Sequence, residues 1–158
     1  TQGRNQMLDR GFCEIKYVLS DAESLGFADE TFDVVTMGFG LRNVTNKEVA
    51  LKEILRVLKS GGRLVVLEFS KPDNDFIASA YKQYRRLWPR MGKFLANDAE
   101  SYQYLDESID MHPSAEALLS TIRDTGFDRA SVRPLLGGIV AIHSGIRPYT
   151  ERSTASPG

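Results

Sequence analysis

One cysteine, Cys13, and two widely separated histidines, His112 and His143, are all the chain offers of the usual soft metal ligands. A lone thiol excludes an internal disulfide and fits a reducing compartment, and two distant histidines give no zinc-ligand spacing. No apolar run approaches the roughly 20 residues that cross a bilayer. The polar opening Thr1-Gln2-Gly3-Arg4-Asn5 lacks the apolar stretch of a signal peptide, so a soluble or peripheral protein is expected. Net charge is also nearly absent: 20 basic against 21 acidic residues leave a formal charge of -1, which argues against a protein that grips a nucleic acid backbone. Neither an internal repeat nor a low-complexity linker divides the chain.

What is present is the composition of one soluble domain, 42% hydrophobic and 26% charged, enough to build one core. Residues 1–148 read as the C-terminal part of a single domain and 149–158 as a disordered tail. The chain opens on Thr1 rather than Met, and its first residues read as the end of a helix, so a piece of a longer protein is expected.

Alternation at 14–19 followed by Ser20-Asp21 suggests a short strand, and the branched residues of 32–37, ended by Gly38-Phe39-Gly40, suggest a buried second one. Thr45 and Glu48 have capping-box spacing, and Leu51, Ile54, Leu55 and Leu58 recur at helical intervals up to Gly61-Gly62. The run 63–69 then reads as a strand buried on both faces. From 71 to 112 the pattern becomes helical and rich in aromatics, broken near Pro89 and resumed around Ser101, as in an insertion. Ser114 opens another helix closed by Gly126, and strands at 130–136 and 139–142 form a hairpin about Gly137-Gly138. This order describes an α/β, doubly wound sheet with an antiparallel edge.

Ligands of such sheets bind beyond the carboxyl ends of the strands, which singles out Asp21-Ala22, Gly38 to Val44 and Glu68 to Pro72. A strand-end Asp accepts from an exocyclic amine, beside an Ala that permits close packing on a flat ring; Asp21 as a turn cap reads equally well. Gly38-Phe39-Gly40 lets backbone approach a ligand with Arg42 and Asn43 projecting beside it, while the plainer alternative is a tight turn with a solvated arginine. The aromatics Phe76, Tyr81, Tyr84, Trp88, Phe94, Tyr102 and Tyr104 lie among the bases Lys82, Arg85, Arg86, Arg90 and Lys93. They suit a lid over a greasy substrate or membrane, or simply a core.

Three blocks carry a resemblance over most of the chain: 38–45 (GFGLRNVT), 56–64 (RVLKSGGRL) and 67–72 (LEFSKP). With Ala96-Asn97-Asp98, Met111-His112-Pro113 and 137–143 in order, the chain resembles the ubiquinone/menaquinone biosynthesis C-methyltransferase family. The resemblance implies a class I S-adenosylmethionine-dependent methyltransferase, Rossmann-like, mostly parallel with an antiparallel C-terminal hairpin, and N-terminally truncated. It implies S-adenosyl-L-methionine as cofactor, with Asp21 and Ala22 at the adenine and Gly38 near the methionine part, where several relatives carry Ser. The Gly-rich loop and the acidic ribose ligand of the family lie upstream of the matched blocks, on two further strands that in the family's sheet separate 14–19 from 32–37.

The implied reaction is C-methylation of a polyprenyl hydroquinone, a methoxy-benzoquinol or a demethylmenaquinol, without a metal. Arg42 and Asn43 are the implied catalytic pair: Arg42, always protonated, faces the developing quinolate or orients a water that takes the proton, and Asn43 fixes a ring oxygen. Ala96-Asn97-Asp98 and Met111-His112-Pro113 look more like the branch that uses both quinols. The family further implies a homodimer, no nucleic acid partner, and a cytoplasmic or, in a eukaryote, mitochondrial matrix protein loosely held at the inner membrane. By the same reading the 158 residues alone bind cofactor negligibly and are inactive. Two rival readings stay open, a nicotinamide dehydrogenase and a non-catalytic module that keeps the fold for partner binding.

Overall fold

The computed structural model describes residues 15–72, 74–85 and 99–149. Within them Phe32–Gly38 (β1), Leu58–Phe69 (β2), Asp128–Leu135 (β3) and Val140–Ile146 (β4) form one sheet in the order β1-β2-β4-β3. β1 and β2 are parallel, and β4 is antiparallel to both of its neighbours, so it alone runs against the other three. The hairpin expected at Gly137-Gly138 joins β3 to β4. There Gly137 takes φ 68°, which costs a glycine little.

Helix α1, Lys47–Val57, joins the parallel pair. Its N-terminus is capped by Asn46, whose side chain accepts from the Val49 N–H, rather than by Thr45 as the capping-box spacing suggested. Asn and Thr are both good caps, and the residue adjacent to the first turn takes the role. The helix also ends at Val57, before the glycines. Its last carbonyls are satisfied from outside: the Glu30 N–H donates to Arg56 O at 3.0 Å and the Thr31 N–H to Val57 O at 2.8 Å. The Arg147 guanidinium donates to the carbonyls of Leu55, Arg56 and Leu58. With the orphan carbonyls occupied, no glycine cap is required. Gly61 and Gly62 instead form an irregularity within β2, where the pairing jumps from Phe32↔Leu58 to Val34↔Arg63 and Gly61 has φ 76°.

Leu64 and Val66 of β2 pack with Leu51 and Ile54 of α1 and with Leu118 and Ile122 of α4, Ala115–Asp124. Each such side chain, fully buried, contributes roughly 1.5–3 kcal/mol. The Ser114 side chain caps α4 by accepting from the Ala117 N–H at 3.3 Å. Burial of β2 on both faces is not observed: Leu64, Val66 and Glu68 are fully buried, whereas Val65, Leu67 and Phe69 are half-buried. β1 likewise departs from a buried strand. Among the described residues it has a sheet neighbour on one side only, and Val34 is 54% exposed.

The strand expected at 14–19 does not form over its described residues, 15–19. Ile15, Tyr17, Val18 and Leu19 are exposed, Leu19 completely. An apolar alternating segment becomes a strand only when a ladder satisfies its backbone, and no described strand lies beside it. The loop after it is fastened elsewhere: Glu23 Oε1 accepts from the Asn46 N–H, Glu53 Oε2 from the Leu25 N–H, and Arg56 donates to the carbonyls of Leu25 and Phe27 and to Asp29.

Among the described residues the aromatic-rich segment contains two helices, α2 (Asp75–Arg85) and α3 (Ala99–Met111). The expected break at Pro89 lies outside the described residues. Arg85 ties the pair together through Asp106 and Asp110, with its guanidinium 5.6 Å from the Tyr81 ring centroid.

Candidate functional site

β1 ends at Gly38, which is paired with Leu67 of β2, and the next N–H, of Phe39, donates to Leu67 O at 2.8 Å. Phe39 then takes φ 52°, an uncommon conformation for a residue with a side chain, with its ring centroid 4.9 Å from that of Phe69. This reversal starts the short 3-10 turn Leu41–Asn43. Leu41 enters the core at 0% exposure and pins the turn, so the next residue, Arg42, lies back over the end of β2.

Arg42 is not a solvated arginine. Its side chain is 12% exposed, and Nη1 donates to Oε1 of the fully buried Glu68 at 3.0 Å and to the Phe39 carbonyl. Its backbone N–H donates to Glu68 Oε2 at 3.1 Å, and its guanidinium carbon lies 5.4 Å from the Phe69 ring centroid. Asn43 is exposed, and its Oδ1 accepts from the Tyr104 hydroxyl of α3 at 3.1 Å.

Behind this turn are both histidines. His112 follows α3 at 2% exposure, and neither ring nitrogen has a hydrogen-bond partner among the described residues. Burial lowers its pKa to about 4; Glu68 opposes this, while Lys47, His143 and Arg42 add to it. His143 of β4 is equally buried, with Nε2 2.9 Å from the Ala115 carbonyl, and its pKa is also lowered, again chiefly by burial. Both rings are therefore neutral at pH 7.

Asp21 lies in the loop stitched to the first turn of α1. Its Oδ1 accepts from the Glu23 N–H at 2.9 Å, the turn-capping geometry that was one of its two readings. Ala22 is half-buried next to it. Gly38 is exposed, and a Cβ built on it meets nothing within 4 Å, so the space above this backbone is open. A cavity of about 370 Å³ opens beyond the end of β2, lined by Ser70, Pro72, Ala78, Tyr81, Arg85 and Ile109 among others.

The structure thus gathers Gly38, Arg42 and Asn43 at the end of β1 and ties the Asp21-Ala22 loop to the nearby N-terminus of α1. The sequence places Glu68 at a strand end, His112 in a motif and Tyr104 among the aromatics of the insertion, but assigns a partner to none of them. Glu68 carried a signal, since it is the one charged residue in the otherwise apolar run 64–69 and must find a partner if that strand is buried. His112 and Tyr104 carried none, because only the fold brings α3 across the strand ends. Among the described residues no group of three His, Cys, Asp or Glu could hold a metal ion, and no helix is long and apolar enough to cross a membrane.

Comparison with known proteins agrees with this architecture. A methyltransferase from Aquifex aeolicus, SAM-dependent by its description, superposes with a TM-score of 0.61 at 14% identity, over 90% of this chain and 60% of that one. PigF, solved with SAH, superposes with a TM-score of 0.63 at 19% identity, over 91% of this chain and 39% of that one. At such identities the likeness concerns the fold, a class I methyltransferase sheet. Sequence relatives are much nearer. The ubiquinone/menaquinone biosynthesis C-methyltransferase UbiE of Stutzerimonas stutzeri is 54% identical over 148 residues, 92% of this chain and 58% of that protein. The protein of the same name from a Marinomonas species is 52% identical over 147 residues, with 92% and 59% covered. The chain therefore spans somewhat under two thirds of the length of these relatives. Residues 1–147 match the model of the ubiE/COQ5 methyltransferase family, and the chain belongs to that family.

Proposed function

We propose that this chain forms the adenine side and the catalytic side of a site for S-adenosyl-L-methionine-dependent C-methylation of a polyprenyl hydroquinone in ubiquinone or menaquinone biosynthesis. The observation that carries the reading is the turn after β1, where open space above Gly38 adjoins an anchored Arg42 and an exposed Asn43. Family membership and the names of the relatives supply the reaction class.

The residues present fit the cofactor. Asp21 uses Oδ1 within its own turn, and Oδ2 has no hydrogen-bond partner among the described residues, so it is available to an exocyclic amine with Ala22 beside the ring. Gly38 offers backbone without a side chain. When bound, S-adenosyl-L-methionine supplies the sulfonium methyl group.

Asn43 donates from its amide to a ring oxygen of the quinol while Tyr104 holds its Oδ1, which sets the orientation of the ring. Arg42 places fixed positive charge near that oxygen as loss of the hydroxyl proton to water leaves it negative; the ring carbon that gains the methyl group then gives up its own proton to water, which restores the aromatic ring, and the guanidinium takes neither proton. The cavity beside Ser70 and Tyr81, whose lining includes none of Asp21, Gly38, Arg42 and Asn43, offers room for the polyprenyl tail beyond the end of β2. Phe76 and Tyr84, exposed on α2 with Lys82, suit loose contact with the membrane that holds the quinol. A homodimer, a cytoplasmic or matrix location and the single-domain organisation of 1–148 are carried from the resemblance, the last supported by the one continuous sheet.

The test is transfer of a labelled methyl group from S-adenosyl-L-methionine to a short-chain methoxy-benzoquinol and to a demethylmenaquinol analogue. The chain is preceded in this assay by the residues that come before the matched region in the Stutzerimonas relative. Label on a ring carbon of either quinol supports the reading. Cofactor binding without transfer to either ring refutes it.

A further inference from the structure

We propose that Glu68 is a positioning residue of this site, fixing the direction of the Arg42 guanidinium so that it meets the ring oxygen; this rests on the role given to Arg42 above. One fully buried carboxylate receives both the backbone and the side chain of the same arginine: Oε2 accepts from the Arg42 N–H and Oε1 from Nη1, at 3.1 and 3.0 Å. Oε1 also accepts from the Phe69 N–H at 3.0 Å, so the carboxylate is itself held against β2.

Two further contacts leave the guanidinium little freedom. The Phe39 carbonyl accepts from Nη1 and the Phe69 ring lies beneath the guanidinium, while Nε is buried without a hydrogen-bond partner among the described residues. The flexible stem of an arginine ordinarily samples many rotamers, so a buried anchor at both ends of the residue removes most of that freedom before any substrate arrives. The anchor comes from the middle of the sheet rather than from the turn, because Glu68 is a residue of β2, which is paired on both sides. The turn after β1 is therefore referenced to a strand paired on both sides. A site residue held by a supporting hydrogen-bonded partner keeps its aim, whereas one on an unsupported turn drifts.

A purely structural ion pair would have the same distances, so the test needs readouts that stability alone does not move. The variants are Glu68→Gln, which keeps size and an acceptor but removes the charge, and Glu68→Asp, which keeps the charge but is one methylene shorter. In the 158-residue chain, nitrogen-15 spectra should show a distinct, protected Nη1–H signal of Arg42, the donor to Glu68, that moves to the free-arginine position in Glu68→Gln and is partly kept in Glu68→Asp. A protected, unmoved signal in folded Glu68→Gln overturns the proposal. In the extended chain of the methylation assay, Glu68→Gln should lower kcat per folded molecule by about tenfold or more, with cofactor Kd and quinol KM changed by less than about threefold, and Glu68→Asp should recover part of the loss. An undiminished kcat per folded molecule in Glu68→Gln also overturns it. Absence of methylation by the unmutated extended chain counts against the proposed function instead, and the arginine signal then decides the Glu68 assignment alone.

Discussion

The Tyr104 hydroxyl donates to Oδ1 of Asn43 at 3.1 Å, so the aromatic-rich segment is fastened through α3 to the turn that ends β1. Both residues are exposed, which limits what the bond adds to stability. The double-mutant cycle of Tyr104→Phe and Asn43→Ala should give a coupling of about 0.5–1.5 kcal/mol in urea unfolding. A coupling indistinguishable from zero would mean that α3 does not hold the turn.

Acid should destabilise the chain through its two buried histidines. His112 carries a pKa of about 4 against the ordinary 6.5, because burial disfavours the imidazolium more than Glu68 favours it; Lys47, His143 and Arg42 face the same ring and repel the proton. The unfolded chain binds the proton first as the pH falls. Stability is therefore full above about pH 6.5 and declines toward pH 4, by on the order of 3 kcal/mol for His112 at about 1.4 kcal/mol per pH unit. His143 acts in the same direction. Unfolding midpoints between pH 7.5 and pH 4.5 should show a shallower decline in His112→Leu than in the unmutated chain. Equal slopes would contradict the neutral, unpartnered ring.

Two glycines should respond oppositely to substitution. Gly38→Ser places its Cβ in open space and should change stability by less than about 0.5 kcal/mol. In Gly145→Ala the new Cβ would come within 2.9 Å of Phe127 Cβ in the packed face of the sheet, and a loss of about 1–3 kcal/mol is expected. Thermal or urea unfolding of the two variants checks the pair. A costly Gly38→Ser would mean that the space above the end of β1 is filled.

Arg42→Lys should depress methyl transfer by the extended chain far more than it weakens cofactor binding. A lysine ammonium cannot reach Glu68, the Phe39 carbonyl and a ring oxygen with one planar fork. Turnover within a few-fold of the unmutated protein would remove Arg42 from the catalytic account.

How much of this was legible beforehand depended on the range of the interactions. Local signals worked well: the apolar spacing of Leu51, Ile54 and Leu55 located α1, Ser114 located the cap of α4, and Gly137-Gly138 located the hairpin. Long-range partners were the failures. Gly61-Gly62 looked like a helix stop because nothing local reveals that Arg147, Glu30 and Thr31 close α1 from elsewhere in the chain. Residues 15–19 looked like a strand because alternation reports a preference for pairing, not the presence of a partner. At the proposed site, the motif singles out Arg42 and Asn43 but not the geometry of Arg42, since its anchor Glu68 is 26 positions away in sequence.

The central claim is that this chain supplies the adenine-side and catalytic-side contacts of a cofactor site. Calorimetric titration with S-adenosyl-L-methionine tests it most directly, on the 158-residue chain and on the chain extended by the preceding residues of the Stutzerimonas relative, each with and without Asp21→Ala. The account predicts negligible binding by the 158 residues, since Asp21, Ala22 and Gly38 are the only cofactor contacts assigned among the described residues. It predicts clear binding by the extended chain, weakened by Asp21→Ala by roughly 1–3 kcal/mol, the effect of leaving one buried polar group unpaired. Micromolar binding by the 158 residues alone, or binding by the extended chain that Asp21→Ala leaves unchanged, would contradict it.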